Sequence, residues 1–140
     1  MNRARITGYN ALWLRVLNKS ELQDLIVRVT DGDHDALCQS VDFFCAESFG
    51  IWHNRARAKL SRYFKNHPPS KDLLERMVDV VIWRLLAGQF SEQFTDQLKM
   101  ALRFDPQRMA EAAEEASRSK KEYVQRYANR IKRLLDLADS

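Results

Sequence analysis

Three groups of side chains in this 140-residue sequence have the types and spacings for chemistry. The first is His34, Cys38 and Cys45. Spacings of four and seven put all three on one face of a helix. His34 and Cys38, one turn apart, can reach a common metal ion. Cys45 lies roughly 10 Å further along the axis, too far to join them. A structural zinc site needs four ligands, usually from two segments, and the other histidines are His53 and His67. The expectation is no metal and two cysteines buried as small apolar groups. The same axial rise excludes a disulfide between them within one straight helix.

The second group is the run Asp31, Gly32, Asp33, His34, Asp35, Ala36. Its alternating carboxylates suggest a calcium loop, but the glycine stands second rather than sixth and the twelfth place holds Asp42, not a bidentate glutamate. Carboxylates placed this way suit a helix stop followed by an acidic N-cap, where they meet the positive end of the next helix.

The third group is basic and aromatic. In the run from Ile51 to His67, Arg55, Lys59 and Arg62 fall within about 60° of one another on a helix, beside the edge marked by Trp52 and Tyr63. Such cations can hold phosphates while an aromatic ring stacks on a base. Arg126, Arg130 and Arg133 form a second strip near the C-terminal end, with Lys120, Lys121 and Lys132 nearby. These six arginines and lysines (Arg55, Lys59, Arg62, Arg126, Arg130, Arg133) are the candidate nucleic-acid contacts.

No G-x-S-x-G, Gly-rich phosphate loop or H-E-x-x-H is present, so no nucleophile, cofactor or metal chemistry is expected, and the chain reads as a non-enzyme without cofactors.

These groups need elements to hold them. The longest apolar run, Ser70 to Leu86, predicts a helix whose apolar residues cover more than half its circumference, so other helices must pack on several sides. Within it Trp83 projects from the polar strip near Asp79, whereas Arg84 points into the apolar sector. Exposed tryptophan is enriched at protein interfaces. The competing expectation is that a neighbouring helix covers Trp83 while Arg84 finds a buried carboxylate or extends outward.

Before that run, periodicity predicts helices from Tyr9 to Leu17, Glu21 to Val29 with Ser20 and Gln23 as capping box, Asp33 to about Phe49, and Ile51 to about Lys65. Asn66 to Pro69 is a break. After it come a helix from Ser91 to about Arg103 and a last one from Pro106 nearly to Leu137, capped by Asp105. Ser117 and Ser119 mark the place where this last helix can break. Its stripe of Tyr123, Tyr127, Ile131 and Leu134 needs a partner if the helix projects beyond the body, most simply a second copy of the chain. A helix-turn-helix ending in this helix is excluded, because Glu111, Glu114 and Glu115 would face phosphates.

Four glycines and three prolines punctuate long elements rather than many short strands. The fold expected is all-α, one domain over residues 1–140, with about six helices. They form a single antiparallel multi-helix bundle or a short α–α superhelix with HEAT-like stacking of helical hairpins, although these residues carry no motif of that repeat. Net charge +4 permits an anionic partner without requiring one. Asp79 and Arg84 interrupt the best apolar run short of a membrane span. With two cysteines and no leader pattern, a cytoplasmic setting is expected. The functional expectation is a helical protein-interaction module, with a protein partner or homodimer, docking through Trp83, Tyr123, Tyr127, Ile131 and Leu134. Nucleic-acid binding through the basic strips is the alternative.

Overall fold

The computed structural model describes residues 12–91 and 93–139. Among them run a single helical turn, α1 (Leu12–Arg15), and seven longer helices: α2 (Lys19–Thr30), α3 (His34–Cys45), α4 (Ile51–Asn66), α5 (Lys71–Ala87), α6 (Phe94–Phe104), α7 (Pro106–Ser117) and α8 (Glu122–Asp139). Among the described residues there is no strand and no helix long and apolar enough to cross a membrane. The all-α helical bundle expected from the sequence is the fold. Of the helix expected from Tyr9, residues 9–11 lie outside the described residues.

Local chemistry explains most boundaries. Asp33 and Asp105 cap α3 and α7 as anticipated, each side chain accepting a backbone N–H three residues on, and Pro106 fills the first position of α7. The cap of α2 falls two residues earlier than predicted. Asn18 rather than Ser20 forms the capping box, accepting from the Glu21 amide at 2.8 Å while its own amide donates to the Glu21 carboxylate at 3.0 Å. Ser70 stands at the cap position of α5 without a side-chain cap bond. Ser91 does not cap α6 either, because its hydroxyl donates to the Gln93 side chain.

Two predicted helices are shorter than their patterns. α3 stops at Cys45, not Phe49, as Ala46 turns extended. The long last helix breaks after Ser117, where the Ser117 hydroxyl donates to the Glu114 carbonyl at 2.6 Å and competes with the helix ladder. α8 then returns along α7 as an antiparallel hairpin, tied by Lys132 to Glu114 at 2.9 Å.

One apolar cluster draws on every helix, from Leu14 of α1 through Leu85 of α5 to Ile131 of α8. Each such side chain contributes roughly 1.5–3 kcal/mol on burial. α5 is its axis. From Met77 to Ile82 every residue is buried, and α3, α6, α7 and α8 all pack on this helix. α4 packs mainly on α6, with α2 and α3 at its other side. Ion pairs tie the helices together: Arg76 to Asp42 at 2.6 Å, Arg108 to the buried Asp79 at 2.6 Å and Arg62 to Asp96 at 2.8 Å.

Candidate functional site

The end of α3 shows how the candidate site is built. A helix leaves its last carbonyls without intrahelical donors and carries partial negative charge there. α3 has no basic residue in its own last turn. Two arginines from other helices supply the missing donors. Arg84 of α5 donates to the Phe44 carbonyl at 2.6 Å and to the Ala46 carbonyl at 3.2 Å. Arg57 of α4 donates to the same Ala46 carbonyl at 2.9 Å. The shared acceptor keeps the two donating nitrogens within about 6 Å of each other. Both side chains are buried, and each guanidinium also lies over a phenylalanine ring, Arg57 on Phe43 and Arg84 on Phe44.

Neither guanidinium forms an ion pair among the described residues. Their remaining acceptors are neutral: Asn54 and Ser48 for Arg57, and Gln97 for Arg84 at 2.9 Å. The Arg57 Nε–H is buried with no acceptor. Burial lowers Arg57 to about 9, helped by the charge of Arg84, and lowers Arg84 to about 10; Glu47 opposes the shift in both. Both stay cationic at neutral pH. Burial also pushes the Cys45 thiol up to about 11, so it stays protonated there.

Ser48 continues the network. Its hydroxyl accepts from Arg57 and lies 2.6 Å from His53 Nδ1, while His53 Nε2 lies 2.7 Å from the Leu17 carbonyl. A carbonyl only accepts, so Nε2 carries the proton and, in the neutral ring, Nδ1 accepts from Ser48. A serine beside a histidine base has the outline of a nucleophile pair. Here, however, Ser48 is 5% exposed and its hydroxyl is engaged by both Arg57 and His53, which fits a structural relay from α4 to the α1–α2 link.

Above this floor opens a cavity of about 420 Å³. Its polar lining includes Glu47, Ser48, Arg57, Arg84 and Gln97, and Phe49, Trp83, Phe90 and Phe94 supply its aromatic one. Phe90 stacks on Phe94 at 4.6 Å between ring centres, and Tyr127 closes edge-on against Phe90 at 4.6 Å.

A second, smaller groove lies between α2 and α4. It is lined by Lys19, Leu22, Ile26, Trp52, Arg55 and Lys59. Two cations lie over the Trp52 ring, the Lys19 ammonium at 4.2 Å and the Arg55 guanidinium at 5.1 Å. Next to it along the chain are Phe49, 82% exposed, and Ile51, 52% exposed; Trp52 itself is 40% exposed.

The residues singled out from sequence fall into three environments. Arg55 and Lys59 lie together in the Trp52 groove. Arg62 is separated from them in charge, because Asp96 neutralises it. Arg126, Arg130 and Arg133 are exposed on α8, where Arg130 donates to Thr95 at 2.6 Å and lies over Tyr127. The stripe expected to await a partner is instead covered by its own chain. Ile131 is fully buried, Tyr123 and Tyr127 pack on Phe90, and Leu134 is half-buried. The cause is the break after Ser117, which folds α8 onto the body. Trp83 is half-buried in the cavity wall. Arg84 neither forms an ion pair with a carboxylate nor extends outward; it donates to the main-chain carbonyls of Phe44 and Ala46 and to Gln97.

Arg57 was missed as a site residue. Its signal is present in the sequence: His53, Arg57, Leu60 and Phe64 recur at helical spacing, which places a charge on the apolar stripe. No group of three or more metal-ligating side chains gathers among the described residues. Comparisons with family models, with curated proteins and with solved structures found no match.

Proposed function

We propose that this chain is a non-enzymatic interaction module that docks an acidic protein segment on the face formed by Phe49, Ile51 and Trp52. The observation carrying this reading is the exposure of three large apolar side chains around Gly50, flanked by Lys19, Arg55 and Lys59. Tryptophan and arginine are the side chains most often found at energetic centres of protein interfaces. The flanking cations favour a partner bearing carboxylates over a second copy of this chain, which would set Lys19, Arg55 and Lys59 against their equivalents.

The test is titration of the pure protein with a peptide combining Glu and Asp with Leu and Phe anchors. Micromolar binding that drops about tenfold or more in Trp52→Ala, and again in Arg55→Glu with Lys59→Glu, supports the reading. Loss of binding in neither variant overturns it. A second reading rests on the half-exposed ring of Trp52 with two cations close to it, which suits base stacking beside phosphate contacts. Tighter binding of a single-stranded oligonucleotide than of the peptide, with a steep salt slope removed by the same charge reversal, would place nucleic acid first.

A further inference from the structure

The cavity over Arg57 and Arg84 is separate from the Trp52 groove in its lining and in its chemistry. Its floor holds two cations and its lining one carboxylate, Glu47, so it carries an excess of one positive charge. Each guanidinium has five N–H donors. Arg57 places three, on Asn54, Ala46 and Ser48. Arg84 also places three, on Gln97, Phe44 and Ala46. All of these acceptors are neutral, and the single carboxylate of Glu47 leaves one of the two buried cations without a counter-charge, which is costly. The walls above are aromatic, from Trp83, Phe90 and Phe94, and the volume lies in the range of small-molecule sites.

We infer that this cavity binds a small monocarboxylate with a planar apolar body, its carboxylate turned toward Arg57 and Arg84 and its body between Trp83 and Phe90. A single negative charge balances the floor, whereas a phosphate dianion would exceed it. Planar carboxylates also match guanidinium donors in shape. The cavity shares Phe49 with the docking face proposed above and otherwise has its own lining.

Benzoate is the probe, with benzamide as its neutral counterpart of the same shape and phenyl phosphate as the dianion. The full chain is titrated with each and followed by two-dimensional amide NMR. Benzoate should give saturable shifts at Ser48, Gln89, Phe90 and Gln97. Benzamide should bind at least about tenfold more weakly, the loss expected when a charge-assisted hydrogen bond is removed. Trp83→Ala should weaken benzoate binding by about fivefold or more while the rest of the spectrum is kept. Arg57 and Arg84 also hold the end of α3, so their variants are not the primary test. The comparison of probes on the unaltered protein stands even if Trp83→Ala folds poorly. Equal binding of benzoate and benzamide, tighter binding of phenyl phosphate, shifts confined to Lys19, Trp52 and Arg55, or no shifts at about 10 mM benzoate would each overturn the inference.

Discussion

At the scale of single residues, the buried arginines differ from those outside in what their loss leaves behind. Removing Arg84 strands the Phe44 carbonyl, and an orphaned buried acceptor costs more than a lost surface attraction. Arg84→Met keeps most of the volume and should still cost about 2–4 kcal/mol in urea unfolding. Arg62→Met removes a pair whose arginine is 54% exposed and should cost less than about 1 kcal/mol. Cys45 adds a pH dependence. Burial raises its thiol from the ordinary 9.0 to about 11. The folded state therefore holds a proton that the unfolded chain releases above pH 9. Stability from this thiol is fully present below that value and is lost as pH rises toward 11. The stability advantage of the native protein over Cys45→Ala should be flat from pH 6 to 8 and then shrink by roughly 1 kcal/mol per unit between pH 9 and 11, read from urea midpoints across pH.

At the scale of elements, the connection from α5 to α6 and its contact with α8 are the most sensitive. Gly88 ends α5 with φ +71, and an added Cβ would lie 2.6 Å from the Tyr123 hydroxyl, which donates to the Gly88 carbonyl at 2.9 Å. Gly88→Ala combines a left-handed backbone with a displaced tyrosine and should cost about 1–3 kcal/mol, seen as a lower Tm. Tyr127 packs on Phe90 and Phe94. Tyr127→Glu should therefore destabilise the monomer by about 2–4 kcal/mol, and the oligomeric mass by light scattering should not change. Most elements were legible because their signals are local. Asp33, Asp105 and Pro106 each act within one turn, and the apolar run of α5 states its own burial. The early end of α3 was not legible, since the donors that meet its last carbonyls sit on Arg57 and Arg84, far along the chain. The covered stripe of α8 was not legible for a related reason. Ser117 and Ser119 marked a weak point, but nothing local says which way the chain turns after it.

At the scale of the whole molecule, charge is organised rather than spread. Arg62, Arg76, Arg108 and Lys132 are consumed as ties between helices, whereas Lys19, Arg55 and Lys59 stay beside an exposed aromatic ring. The candidate sites were only half visible in the sequence for this reason. Periodicity put Arg55, Lys59 and Arg62 on one face, but Asp96, which removes Arg62 from that set, comes from another helix. The shared capping of α3 has a further consequence, for the order of assembly. A hairpin of α2 and α3 made alone ends in carbonyls whose donors lie on α4 and α5, up to 40 residues ahead. That hairpin cannot be completed as a separate folding unit, and α3 becomes secure only when two later helices have arrived. Amide protons of α3 should thus exchange only with the slowest, global opening, and a chain cut after residue 66 should not hold them at all.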